Sequence, residues 1–320
     1  MSENVNTTMN ATQSSSCASN PTAEKLGKTA AYCLIFLVSL AGNTVIGIIV
    51  YKTKTMRKPI NFLIVNMAMS DLLFSIFIIP QDIQKLYIDS WLIGGPLGQA
   101  LCKLTYFLSD VSTAVSIQSL VLIAVDRFEA VVFPLRSPIL NSKLCPFFIL
   151  ATWIVAMAVG SPELVAVKLV EYLGGLVCRR LWNEAFGVSS SFENYYFSGA
   201  VVFIFIPLVL IAILYITIYI KLKLQKIPGL LSANAGHQHL QRERNVLKMA
   251  IAIVLGFALC LLPFGIGSSL APFASDMWTC GFKIFYSVGL LMVRANCAIN
   301  PCICFIFSRN YREELKALFR

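Results

Sequence analysis

The sequence predicts an all-α integral membrane protein: a seven-transmembrane-helix bundle followed by a short amphipathic eighth helix. Three observations predict it. Hydrophobic residues make up 57% of the 320-residue chain and charged residues only 13%, about half the roughly 25% of a soluble domain, and mean hydropathy is +0.74. Seven apolar runs, at 30–51, 60–81, 104–125, 144–167, 194–220, 249–275 and 284–307, each reach the ~20 residues that a bilayer crossing needs. Lys and Arg are shared unequally between the two sets of connecting loops. The chain therefore divides into a polar tail (1–29), the bundle (30–307) and an amphipathic end (308–320). Nothing outside the runs is long enough to build a core of its own, which excludes a large exposed catalytic domain. Composition this apolar also excludes disorder.

The tail is rich in Ser, Thr and Asn and has no apolar stretch, so no cleavable signal peptide is expected. Asn6-Thr7-Thr8 and Asn10-Ala11-Thr12 are glycosylation sequons, whereas Asn20 is followed by Pro21 and is not. The loops after runs one, three, five and seven hold 17 basic residues against 8 on the other side. The basic side is expected to be cytoplasmic, with the N-terminus outside and the C-terminus inside. The net charge of +10 is then mostly a topology signal. Its scatter over four loops, without a stacking platform, argues against nucleic acid as a partner.

Proline interrupts five runs, at Pro80, Pro162, Pro207, Pro263 and Pro301. Each removes a backbone hydrogen bond and crowds the preceding turn, so kinks are expected. Kinked helices allow two packings of similar energy. Six of the ten cysteines, Cys33, Cys145, Cys260, Cys297, Cys302 and Cys304, fall inside runs and read as small apolar filler. Cys17, Cys102, Cys178 and Cys280 fall on the outer side and permit two disulfides in three pairings. The favoured pairing is Cys102–Cys178, tying helix three to the loop after helix four, with Cys17–Cys280 as the remainder.

Four ionisable side chains lie within the runs: Asp71, Asp110, Glu163 and Arg294. A charge at a helix centre costs roughly 2.5–3.5 kcal/mol on insertion scales, so each calls for a partner or a wet cavity. Asp110, Glu163 and Arg294 share the outer half, on helices three, four and seven. They point to a polar cavity open to the exterior; the plainer reading is an Arg294–Asp110 pair that only fixes packing. Asp71 lies near mid-membrane with Asn43, Ser116, Asn296 and Asn300 at similar depth. That company suits a hydrated cation or a water network.

Taken together, the residues resemble those of the class A, rhodopsin-like G-protein-coupled receptors over about 30–319. Helix one carries Gly42-Asn43-Thr44-Val45, and helix two carries Asn66-Met67-Ala68-Met69-Ser70-Asp71. Trp91 precedes Cys102, and Asp126-Arg127-Phe128 closes helix three. Trp153 marks helix four and Pro207 helix five. Phe257, Cys260 and Pro263 mark helix six, and Asn300-Pro301 helix seven. The resemblance implies the Cys102–Cys178 bridge and an allosteric sodium site at Asp71, Ser116, Asn296 and Asn300, with no other cofactor. It implies a two-state bundle in which an outside agonist favours a state that opens the cytoplasmic face to a heterotrimeric G protein. In the resting state Arg127 would be held by Asp126 and by Glu243 on helix six. Ile117, Pro207 and Phe257 match the family's packing switch, and Tyr215 its inner tyrosine. Three positions depart. Leu261 replaces the usual tryptophan, Cys304 the tyrosine of Asn-Pro-x-x-Tyr, and Phe128 the tyrosine of Asp-Arg-Tyr. Phe257 and Phe264 are expected to carry the ligand signal in place of the missing tryptophan.

Ser109 stands where the family's amine receptors carry aspartate, and Asp110 lies about 100° further around the helix, which counts against a monoamine. Arg294 stands at the retinal lysine position of opsins and cannot form a Schiff base. Asp110, Glu163 and Arg294 suit a ligand with both a carboxylate and a cationic group, or a peptide; Ser109, Thr113 and Phe264 complete the candidate binding set. The loop with Arg179, Arg180, Trp182, Glu184 and Glu193 has the mixed charged and aromatic character useful for gripping a peptide. The texture is most like the peptide-receptor branch, with a small amine or amino-acid-like ligand as the alternative. Tyr311, Leu315, Leu318 and Phe319 form one apolar face of a helix lying on the inner leaflet lipid. After Cys304 the sequence shows no cysteine for palmitoylation and no Ser/Thr-rich run.

Other classes fare worse. A membrane hydrolase commonly uses His or a metal, and the two histidines, His237 and His239, fall in the third cytoplasmic loop. A transporter is expected to show internal repeats and broken midplane helices, and no repeat is seen.

Overall fold

The structure, a computed structural model, describes residues 20–135, 138–172, 174–187, 189–224, 233–270 and 280–318; for 233–246 and 269 it describes the backbone alone. Among the described residues seven helical stretches are long and apolar enough to cross a membrane. They are α1 (Pro21–Lys52), α2 (Pro59–Tyr87), α3 (Gly95–Val132), α4 (Cys145–Ala166), a fifth span over Phe192–Leu224, and α8 and α9, described below.

Several helices outrun the apolar stretches that announce them. In α1 the side chain of Asn20 caps the Thr22 amide at 3.1 Å, Pro21 fits the first turn, and a Glu24–Lys28 pair at 2.7 Å supports the polar beginning. The helix thus starts inside the segment expected to be tail. Likewise α2 continues past run two to Tyr87 and α3 begins before run three at Gly95. Hydropathy marks the lipid-facing length of a helix, and capping and tertiary contacts decide where it ends.

Between α4 and the fifth span lies an antiparallel hairpin of β1 (Val167–Tyr172) and β2 (Gly175–Arg180). Gly174 turns it at φ 79°, a conformation glycine adopts without strain. A short helix α5 (Trp182–Phe186) follows. The fifth span opens with α6 (Phe192–Ala200), passes through one wide π turn (Val201–Phe205) and continues as α7 (Ile206–Leu224). Pro207 explains the wide turn. It cannot donate to the carbonyl four residues back and its ring crowds that carbonyl, and the Ile206 amide bonds instead to the oxygen of Val201. Then come α8 (Ala233–Leu270), α9 (Cys280–Phe307) and α10 (Arg309–Leu318).

Helix α3 is central and touches α2, α4, α7 and α8, while α9 packs on α8, α1 and α2. Large apolar side chains such as Leu37, Ile76, Phe147, Ile213 and Leu259 face outward, as a lipid-facing surface requires. Lipid is as apolar as leucine, so close approach and buried hydrogen bonds hold such helices together. A Cβ at Gly42 would lie 2.6 Å from Cβ of Pro301, so α1 and α9 meet there at backbone distance. Beside it Asn43 donates to the Cys297 carbonyl at 2.9 Å. Asn66 of α2 donates to Ser119 of α3 at 2.9 Å and Thr152 of α4 at 3.2 Å, and accepts from the Trp153 indole at 2.8 Å. Each such bond is worth roughly 0.6–2 kcal/mol in a membrane.

The largest apolar cluster fills the end of the bundle away from the hairpin, where Ile46, Leu63, Ile123, Ile218, Cys304 and Tyr311 are all buried. Tyr311 anchors α10 there, with its ring edge-on to Phe305 and its hydroxyl 3.3 Å from Asn61 Oδ1. Burial holds its phenol well above the ordinary tyrosine pKa, so the hydroxyl stays a donor. Thr53 bonds Glu314 at 2.8 Å from the other side.

Candidate functional site

At the hairpin end the Cys102–Cys178 disulfide fixes β2 to α3, with Cα atoms 5.7 Å apart. Gln99 of α3 accepts from the Leu169 amide at 2.8 Å and Trp91 donates its amide to Leu176 at 2.6 Å, so the hairpin is pinned across the bundle mouth. The register sets Arg180 opposite Val167, next to the end of α4. From there its guanidinium pairs with Glu163, Nε lying 3.0 Å from each carboxylate oxygen. It also lies over the rings of Tyr106, at 5.1 Å, and Phe192, at 4.0 Å. Trp182 packs on Phe186, Phe192 and Tyr195 to complete an aromatic wall. Glu163 is 1% exposed and would be untenable as an unpaired charge.

Arg294 pairs with Asp82 and not with Asp110. Its Nε lies 2.6 Å from Asp82 Oδ2, an approach not aligned as a hydrogen bond, and Nη2 donates to Oδ1 at 3.4 Å. The guanidinium sits 5.5 Å from the Phe74 ring centre. Asp82 escaped notice because it falls one residue past the apolar run, whereas α2 continues and carries it to the level of Arg294. Lys85, one turn on, is exposed and lies 5.9 Å over the Tyr106 ring. Asp110 is half-buried and, among the described residues, makes no hydrogen bond or ion pair. Lys85, Asp82, Tyr106 and Arg180 are thus the residues of this mouth whose partnerships sequence reasoning missed.

Below the mouth, Phe264 packs on Tyr286 at 5.5 Å. Thr113 bonds the Ser109 carbonyl at 3.0 Å and lines a cavity of about 10 Å³ together with Asp71, Ser112, Leu261, Asn296 and Cys297. Asn300 donates to Asp71 at 2.8 Å, while Asn296 Oδ1 is buried without a partner among the described residues. Ser116 bonds Ser70 at 3.0 Å. Leu261, standing where a tryptophan was expected, forms part of the cavity wall. Among the described residues no group of three His, Cys, Asp or Glu is placed to share a metal ion.

At the opposite end Asp126 and Arg127 form an ion pair, with Arg127 Nε 3.0 Å from Oδ2. They border a cavity of about 400 Å³ closed by Lys58, Pro59 and Ile60 and by the Pro138–Ser142 loop. Ile117 and Phe257 are buried in the main apolar cluster, and Pro207 is half-buried at the start of α7. The Tyr215 hydroxyl is buried with no partner among the described residues, consistent with Cys304 standing where the family carries a second tyrosine. Pro301 meets Gly42. The side chain of Glu243 and residues Asn6, Asn10 and Cys17 lie outside the described residues. Cys280 is disulfide-bonded.

Residues 42–303 match the family model for seven-transmembrane receptors of the rhodopsin family. A QRFP-like peptide receptor from Branchiostoma floridae is 30% identical over 293 residues, covering 90% of this chain and 76% of the relative. The neuropeptide Y receptor type 1 of Xenopus laevis is 28% identical, over 90% of this chain and 79% of the relative. The RYamide receptor of Drosophila melanogaster is 30% identical, over 87% of this chain and 60% of the relative.

Proposed function

The chain belongs to the rhodopsin family of seven-transmembrane receptors, the class A G-protein-coupled receptors, and we propose that it is a peptide receptor whose hairpin end faces the outside of the cell. It is a multi-pass membrane protein of a family of plasma-membrane receptors, which are not enzymes. The basic-residue asymmetry supports the orientation, with the hairpin on the basic-poor side.

One observation carries the peptide reading: the mouth is a mixed-charge, aromatic surface held by a pinned hairpin. Aromatic side chains offer rigid contact area, and charged groups at several positions suit a ligand with several residues. The relatives named as peptide receptors support the same reading.

Signalling follows from differential affinity. A peptide that binds one packing of the bundle better than another shifts the equilibrium toward it, and by no more than that difference. The contacts that must change lie at the far end, where Asp126 holds Arg127 beside the 400 Å³ cavity. Releasing Arg127 opens that end to a heterotrimeric G protein.

A sodium ion suits the pocket at Asp71 on its donor set: a carboxylate and the unpartnered Asn296 oxygen are hard oxygen ligands. Asn300 would hold the carboxylate in place, with Ser116 within the same polar layer. The ion would supply the charge that balances Asp71.

The test is expression in cells carrying a panel of G-protein reporters, screened with a peptide library against free amino acids and amines. Activation by peptides alone is expected; activation by amines alone contradicts the reading.

A further inference from the structure

The charges at the mouth fall into two triads that meet at Tyr106. Lys85 and Arg180 both lie over that ring, at 5.9 and 5.1 Å. The first triad is Asp82, Arg294 and Lys85, in which Asp82 and Arg294 close on each other. Lys85 stands one turn past Asp82 on α2 but makes no ion pair or hydrogen bond among the described residues. The second triad is Glu163, Arg180 and Asp110, in which Glu163 and Arg180 close on each other. Asp110, one turn along α3 from Tyr106, is half-buried and makes no hydrogen bond or ion pair among the described residues. One triad thus carries an excess positive charge and the other an excess negative charge.

We propose that Lys85 and Asp110 are the two charges this receptor keeps for its ligand: Lys85 takes a carboxylate and Asp110 a guanidinium or ammonium, so the ligand is dipolar at its bound end. The proposal rests on the peptide reading above and refines it. Arg294 and Glu163, the more conspicuous intramembrane charges, are spent on Asp82 and Arg180 and serve to hold the two free charges apart. A closed pair has little to gain from a third group, because a ligand would first have to break it. An unpaired charge, exposed at Lys85 and half-buried at Asp110, gains a partner without breaking one. A ligand carrying two like charges would leave one of the two positions unmatched, so the arrangement also rejects wholly basic and wholly acidic peptides.

The test uses the full chain in cells with G-protein reporters and a hexapeptide library made in five matched sets. Four sets are N-acetylated and C-amidated and contain arginine with glutamate, arginine with glutamine, citrulline with glutamate, or citrulline with glutamine. The fifth contains arginine with glutamine and a free C-terminal carboxylate, which separates a side-chain carboxylate from a terminal one. Wild type is expected to prefer a set with both charges by about tenfold or more, the loss typical of one charge-assisted bond. Lys85→Met should erase the preference for the carboxylate only, and Asp110→Asn the preference for arginine only. Lys85→Arg and Asp110→Glu should keep both preferences, which separates lost recognition from failed folding; surface labelling checks that each variant reaches the membrane. Equal response to charged and uncharged sets, or preferences that survive in Lys85→Met and Asp110→Asn, overturn the proposal while leaving a peptide receptor standing. Activation by free amino acids but by no peptide set, lost in the same two variants, overturns the peptide reading and leaves the dipolar site standing. Silence of wild type toward both overturns both.

Discussion

Arg180 and Glu163 show at the scale of single residues how a buried charge is tolerated. Glu163 is 1% exposed and its carboxylate is met on both oxygens by one guanidinium. Removing one member of such a pair typically costs about 3–5 kcal/mol because the survivor is left unsolvated, whereas removing both costs much less. Arg180→Gln is therefore expected to lower the melting temperature of the detergent-purified receptor, and Arg180→Gln with Glu163→Gln to recover most of the loss. A double variant no more stable than Arg180→Gln would show that the pair does not hold the mouth. Gly42 makes a second prediction. A methyl group there would sit 2.6 Å from Cβ of Pro301, so Gly42→Ala should cost about 1–3 kcal/mol, the usual range for overpacking. Thermal unfolding unchanged by that variant would show that α1 and α9 part easily. Tyr215→Phe should do the opposite. It deletes a buried hydroxyl with no partner among the described residues, so the resting receptor should gain about 1 kcal/mol, read as a higher melting temperature without agonist.

Helices and hairpins differ in how openly the sequence announces them. The centres of the seven spans are legible because lipid demands an unbroken apolar length, and each expected run lies on or overlaps one observed helix. The ends are less legible, since polar turns such as Pro21–Thr29 and Gln81–Tyr87 join a helix through capping and tertiary contacts that hydropathy ignores. That blind spot hid the Asp82 partner of Arg294. The hairpin escaped too, although Gly174-Gly175 between two short segments that each hold Val and Leu is a fair turn signal. Asp71 and Asn300, which the resemblance groups, share a hydrogen bond, whereas the bond between Asn66 and Trp153 was not foreseen. Residues that meet through the folded loop, such as Arg180 over Tyr106, depend on a register no local pattern gives. The hairpin's role is testable as an element. Cys102→Ser unties β2 from α3 and should weaken agonist potency by about tenfold or more, the cost of ordering a loop at each binding event. Unaltered potency at normal surface expression would make the hairpin a bystander.

Across the whole molecule, two polar sites lie at opposite ends of the bundle, with an apolar cluster and the small Asp71 cavity between them. Close-packed interiors are bistable rather than continuously deformable, so a change at one end can select a packing felt at the other. The substituted positions lie along this route. Leu261 lines the Asp71 cavity, and Cys304 is buried in the same apolar cluster as Tyr311. Phe257 of α8, fully buried in the same cluster as Ile117, lies on this route as well. Coupling between the two ends is tested most directly by agonist-stimulated nucleotide exchange on a purified G protein, with the receptor reconstituted in lipid. Wild type should stimulate exchange when an activating peptide is added, and Arg127→Ala should bind the labelled peptide yet stimulate none. Full exchange by Arg127→Ala, or solute flux without exchange by wild type, would contradict the account.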